Sequence, residues 1–222
     1  MSDAKTVAIE VVSDVVCPWC YIGKRRLEKA LDSIGGALRA RVTWLPFQLN
    51  PEMPHAGMAR AEYRRAKFGS SERGRQLDAR VAAEGATEGI AFAFDRIERT
   101  PNTIASHQLI DLAQQQERGD AVVEALFRAY FEEARDIGEP AVLLQIAQSC
   151  GLERRNVEAR WADRDDAQRI AQLEAGLRRL GISAVPTFMF DRRSGISGAH
   201  PPESLAEAIR AAAAQQLTGT TE

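Results

Sequence analysis

A chain of 222 residues, 45% apolar and 27% charged, can bury a sizeable core as one large domain or as a small domain carrying an insertion. Its formal net charge of −2, with the two signs interspersed, lacks the electrostatic footprint of a nucleic-acid binder. No run is apolar enough and long enough to span a bilayer, so neither a membrane nor a nucleic-acid partner is expected.

The start, MSDAKT, is polar, and the β-branched run VAIEVV (7–12) follows at once as a predicted strand. That leaves no room for a secretory signal, and the expected compartment is the cytoplasm. Residues 18–33 read as a helix: Pro18 suits the first turn, Ile22, Leu27, Ala30, Leu31 and Ile34 recur at near-helical spacing, and Gly35-Gly36 ends it. RVTWLPF (41–47) is a second strand with Pro46 at its end or on an edge. Strand, helix and strand make a βαβ unit, for which a right-handed crossover is expected.

The pattern then changes. A Pro-rich loop (48–58) is followed by helical segments at 60–68, 72–85, 103–117, 120–134, 140–150, 153–162 and 164–180, with Gly69, Gly85, Gly119, Gly138, Gly151 and Gly181 as expected stops. Strand chemistry returns at TFMFD (187–191), RRSG reads as a hairpin turn, ISGAH as a short returning strand, and 202–216 as a closing helix. Both ends are α/β and the middle is helical. The expected organisation is an α/β domain formed by 1–58 and 181–222, interrupted by an all-helical domain at 59–180.

Two of the three cysteines, Cys17 and Cys20, enclose Pro18 and Trp19 at the start of the first helix. The unpaired N–H groups and the positive dipole end favour an anion there, and a Cys17 thiolate is such an anion. Cys20 lies one helical turn on, so the sulfurs can join in a disulfide, with Cys17 attacking and Cys20 resolving the mixed disulfide. A structural staple explains less: the loop is short, and a reducing compartment opposes it. Zinc needs two more ligands, and Cys150, His55, His107 and His200 form no second closely spaced pair, so no metal is expected. Cys150, in an apolar helix, reads as a small hydrophobe. Trp44, Phe47, Phe127, Tyr130 and Phe131 read as core.

The chain resembles the DsbA-type thioredoxin-fold oxidoreductases and, more narrowly, their FrnE-like cytoplasmic branch. The resemblance lies in DVVCPWCYIGKRRLE, WLPFQLNPEMP, PNTIASHQL, ALFRAYFEEARDI, GISAVPTFMF and ISGAHPPE, in family order over nearly the whole chain. It implies a thioredoxin-like fold with a helical insertion. It also implies a cis Val185–Pro186 peptide facing the Cys17–Cys20 pair, with Val185 offering backbone hydrogen bonds to a bound peptide or small disulfide. Pro18, Trp19, Asn102 and His107 are the further candidate substrate-binding residues; Asn102 or Thr103 can equally cap a helix, and His107 can be a satisfied buried side chain. Many thioredoxin-fold enzymes carry a buried acid ahead of the first cysteine, where this chain has Val11. Glu10 and Asp14 flank that position, Glu10 on the opposite strand face and Asp14 as a turn residue or a proton partner.

The expected activity is thiol–disulfide exchange on a disulfide-containing protein or a small thiol substrate, with no tightly bound cofactor and glutathione as a redox partner. The alternative is a glutathione-dependent isomerase or transferase related to the kappa-class and hydroxychromene-carboxylate isomerase group, in which a Ser commonly replaces the first Cys. A non-enzymatic binder would need neither cysteine.

Overall fold

The computed structural model describes residues 5–218. The first strand, β1 (Lys5–Ser13), alternates as a strand must, with Val7, Ile9 and Val11 on one face and Ala8, Glu10 and Val12 on the other. A tight turn, closed by the Cys17 N–H donating to the Asp14 carbonyl at 3.0 Å, leads into α1 (Pro18–Ile34). A 3₁₀ turn (Gly35–Ala37), entered through the positive φ of Gly35, reverses the chain into β2 (Leu38–Pro46), parallel to β1 from Lys5 opposite Leu38 to Ser13 opposite Pro46. Pro46 has no N–H to give a ladder and is the strand's last residue.

The middle of the chain runs β3 (Met58–Ala59), α2 (Arg60–Phe68), α3 (Ser71–Thr87), β4 (Arg99–Thr100), α4 (Ile104–Gln114), α5 (Gly119–Phe131), α6 (Pro140–Ser149), α7 (Arg154–Ala162) and α8 (Arg164–Arg179). Every helix expected there is found, with ends moved by a few residues at most. The β3–β4 ladder, pairing Met58 with Thr100 and Ala59 with Arg99, was not expected, because strands this short carry no period-two signal. Gly85 is not a stop but an interior residue of α3: a Cβ there would lie 2.3 Å from the Phe92 ring, so the glycine admits that ring against the helix. Gly119 likewise opens α5 rather than ending a helix.

The chain returns to the sheet with β5 (Thr187–Phe190) and β6 (Ser194–Ser197), and closes with α9 (Pro202–Thr218). The order is β2-β1-β5-β6, with β5 antiparallel to both neighbours. The hairpin turns at Asp191 and Arg192, whose φ values are 50° and 56°, one step ahead of the expected RRSG. Asp191 holds that position by exchanging hydrogen bonds with Ala8: its Oδ1 accepts the Ala8 N–H at 2.9 Å, and its N–H donates to the Ala8 carbonyl at 2.8 Å.

α1 and α9 pack together and share one core with Val7, Ile9 and Val11. Val12, on the other face, packs with Phe47 and with Leu177 of α8. The main core runs on into the helical block: Tyr21 of α1 stacks on Phe127 of α5 at 5.0 Å, and Phe92 meets Tyr21 edge-on at 6.1 Å. The Tyr21 hydroxyl donates to Glu132 at 2.5 Å, and Lys24, 2% exposed, pairs with Glu124 at 3.1 Å. Burial and the Glu132 hydrogen bond raise the Tyr21 phenol far above its usual value, so it remains a donor.

Candidate active site

Cys17 is the N-cap of α1, and no side chain caps that helix. Its carbonyl accepts the Cys20 N–H at 3.0 Å and the Tyr21 N–H at 3.4 Å, which places its sulfur at the positive end of the helix. The Cys17 Sγ lies 3.7 Å from the Val185 carbonyl oxygen, and the Val185–Pro186 peptide is cis. The Pro186 carbonyl accepts the Gly198 N–H at 2.7 Å. α1 reaches this segment at Gly23, where a Cβ would stand 2.8 Å from Pro186 Cγ and 3.2 Å from Phe188 Cζ; only glycine allows that approach.

The two thiols differ in access. Cys17, 4% exposed, borders a cleft; Cys20, 1% exposed, lies behind it; Trp19, 40% exposed, stands at the rim. Burial, then the hydrogen bond and charge of the adjacent Cys17 sulfur, push the Cys20 thiol well above its ordinary value. The Ser13 hydroxyl and the Asp14 N–H act in the other direction without cancelling that rise. Ser13 was not singled out from the sequence; a lone serine at a strand end carries no signal of a thiol beside it.

Glu10 forms a bidentate pair with Arg192, with contacts of 2.6 to 3.0 Å, on the opposite face from Val11. Asp14 is 1% exposed and fully engaged: Oδ2 accepts the Leu49 N–H at 2.7 Å, while Oδ1 takes the Val16 N–H at 3.5 Å and lies 3.7 Å from His107 Nε2. That nitrogen is 3.1 Å from the Phe47 carbonyl oxygen. His107 lines a separate small cavity of about 100 Å³ with Ser13 and Trp44, because α4 packs into the core against β2, α5, α7 and α8. Thr103 holds the cap position of α4 without a side-chain cap bond; Asn102, one residue earlier, accepts the Ile104 N–H on Oδ1 at 3.0 Å in an Asx turn, and its Nδ2 donates to the Met53 carbonyl at 2.8 Å. Neither the Asn102 nor the His107 side chain lines the cleft beside Cys17.

The cleft encloses about 400 Å³ between the Cys17–Trp19 turn, the α2–α3 pair and Ala184–Val185. Pro18, Trp19 and Val185 are therefore brought together around Cys17. Tyr130 and Phe131 are core residues, as expected, but they also form part of this wall together with Phe94. Arg60, Arg64 and Lys67 of α2 line the cleft too, and nothing in the sequence distinguished them from a solvated helix face. Among the described residues, no group of three or more His, Cys, Asp and Glu is placed to hold a metal ion. Cys150 is half-buried at the end of α6, beside the Ser149 hydroxyl and outside the cleft. No helix of the described residues is long and apolar enough to cross a membrane.

The DSBA-like thioredoxin domain family matches residues 8–210. The crystal structure of a probable DsbA oxidoreductase from Streptomyces coelicolor is 32% identical, with 93% of this chain and 89% of that chain covered and a TM-score of 0.84. The cytosolic disulfide reductase DsbM from Pseudomonas aeruginosa, solved with GSH, is 21% identical and shares the fold, with a TM-score of 0.61 over 97% of this chain and 100% of that chain. Protein YwbO of Bacillus subtilis (strain 168) is 28% identical over 187 residues, 83% of this chain and 86% of that protein. The sheet order, the helical block between β2 and β5, the paired cysteines at a helix start and a family match spanning most of the sequence agree: the chain belongs to the DSBA-like thioredoxin domain family.

Proposed function

We propose that this chain is a thiol–disulfide oxidoreductase of the FrnE-like branch, acting in the cytoplasm with Cys17 as nucleophile and Cys20 as resolving thiol. One observation carries the reading: Cys17 faces a cleft from a helix N-terminus, while Cys20, one turn on, is buried with its thiol held protonated. The Cys17 thiolate attacks a substrate disulfide; the S–S bond breaks and the first substrate thiolate leaves. Cys20 then gives up its proton and attacks the Cys17 sulfur, releasing the second thiolate. The substrate gains two electrons, and the Cys17–Cys20 pair becomes a disulfide. Run backwards, the same steps oxidise a dithiol.

Val185 and Pro186 supply the backbone edge on which the substrate chain lies, and Pro18 and Trp19 form the lip beside the reacting sulfur. Asn102 and His107 hold the frame around Asp14 and Met53 rather than touching substrate. The substrate is a disulfide-bearing protein or small thiol. Glutathione returns the oxidised pair to the dithiol, the role suggested by the fold shared with a cytosolic reductase solved with GSH. No metal or tightly bound cofactor enters this scheme.

The test is Cys20→Ser. With a small disulfide it should accumulate a mixed disulfide on Cys17, seen as one added half-molecule by mass spectrometry, while Cys17→Ser adds nothing. Normal turnover by Cys20→Ser with glutathione would overturn the redox scheme in favour of a glutathione-dependent isomerase.

A further inference from the structure

The cleft beside Cys17 has a charge composition that thiol exchange alone does not require. Arg60, Arg64 and Lys67 lie on one face of α2, at positions one and two turns apart, and all three line the cleft. The guanidinium groups are largely withdrawn from water, with side chains 11% and 15% exposed. Among the described residues lining the cleft, Asp78 is the one carboxylate, and it is shared: it lies 3.4 Å from Arg60 and 2.9 Å from Arg64. Lys67 contacts neutral groups, the Tyr63 hydroxyl at 2.6 Å and Asn50 Oδ1 at 3.4 Å.

Joining α2 to α3 through Asp78 accounts for one cation of the three. The rest is positive charge without a carboxylate, where low polarity makes an incoming anion count for more than it would at an open surface. Burial, and the nearby Arg60 charge, lower Arg64 from its usual value even though Asp78 opposes them. Apolar surface adjoins these cations: Phe94, with the Arg60 guanidinium 5.4 Å from its ring centre, and the buried Tyr130 and Phe131 also line the cleft. A volume of about 400 Å³ suits a small molecule.

We propose that this cleft binds small disulfides that carry carboxylates on an apolar or aromatic body, the carboxylate against Arg60, Arg64 and Lys67, the body against Phe94, Tyr130 and Phe131, and the disulfide at Cys17. The proposal rests on the redox reading of Cys17. The reaction is one exchange: Cys17 displaces one small thiolate, Cys20 closes on Cys17 and displaces the second, and the substrate gains the two electrons the pair loses.

The experiment is single-turnover kinetics of the reduced protein with dithiobis(nitrobenzoate), an anionic aromatic disulfide, and dithiodipyridine, a neutral aromatic one. Each rate is divided by that of the same disulfide with 2-mercaptoethanol, which removes intrinsic reactivity. The anionic-to-neutral ratio should exceed one by about tenfold at low ionic strength and fall steeply as salt is raised. In Lys67→Glu, a reversal at an exposed side chain, the ratio should drop by about three- to tenfold, while the same reversal at Arg155, on α7, leaves it in place. A ratio near one, indifferent to salt and to Lys67→Glu, overturns the anionic substrate class and leaves the redox pair standing. Failure of both disulfides to release two thiols per protein overturns the redox reading itself.

Discussion

Cys17 and Cys20 have the same chemistry and opposite surroundings, and proton release is the point at which they part. With the Cys20 thiol raised by burial and by the neighbouring sulfur, its thiolate is scarce at neutral pH. Closure of the mixed disulfide should accelerate about tenfold per pH unit from neutral upward, until the raised value is reached. Rapid-quench release of the second substrate thiol measures this, and a flat profile would mean that a local base takes the proton first. The same shift has a thermodynamic side. The folded dithiol holds this proton more tightly than the unfolded chain, so the stabilisation is complete below the unfolded thiol's value and is lost as pH rises through the folded one. Gly23 offers a second residue-scale prediction. Alanine there gains about 1 kcal/mol of helix propensity but drives a methyl into the Pro186 ring, an overpacking cost of about 1–3 kcal/mol. Gly23→Ala should therefore lower the denaturation midpoint slightly and slow Cys17 exchange more than stability alone explains. The cysteine pair and the helix it opens were legible in the sequence because spacing and Pro18 state them outright. Ser13 and the cationic residues of α2 were not, since only the folding of distant segments gives them a thiol or a cleft to face.

Helices α4, α7 and α8 are tied by one buried carboxylate. Asp166 of α8 lies 2.8 Å from Arg160 of α7, accepts from Gln108 of α4 at 3.0 Å, and meets Arg169 at 2.9 Å. Burial raises its carboxyl, but the hydrogen bonds from Gln108, Arg169 and Arg160 prevail and hold it below the usual carboxylate range. Its contribution is thus present above that range and is lost as pH falls through the lowered folded value. Asp166→Asn should cost about 1–3 kcal/mol at neutral pH in denaturant melts and flatten the acid limb of the stability curve. At this scale helix existence followed from apolar periodicity, whereas cap and cleft roles did not. PNTIASHQL shows the difference: Asn102 bonds the first helical N–H from one residue before the cap position, which Thr103 holds without a side-chain bond, and the direction of His107 is set by α4 packing, toward Phe47 and Asp14 and away from the cleft.

We propose that residues 59–180 form an insertion in the topological sense, while the molecule unfolds as one body. Val7 and Ile9 of the sheet share a core with Phe127, Leu143 and Val157 of the helical block; Trp44 of β2 belongs to that core and Trp161 of α7 packs against it. Tryptophan fluorescence of Trp44→Phe and Trp161→Phe variants should give coincident denaturation midpoints with circular dichroism, once each variant's own stability change is subtracted. Two separated transitions would make 59–180 an independent domain. The strand order also has a meaning in time. β1 meets β2 early but gains its other neighbour, β5, only after residues 59–180 have been made, and the Val185 carbonyl beside Cys17 comes from a residue 168 positions later. On the ribosome, Cys17 and Cys20 therefore emerge long before the segment that shields them, as two ordinary thiols on an unfinished sheet. A nascent chain stalled before β5 should lose the difference in alkylation rate between Cys17 and Cys20, so their selectivity is acquired only after the Val185 segment has been made.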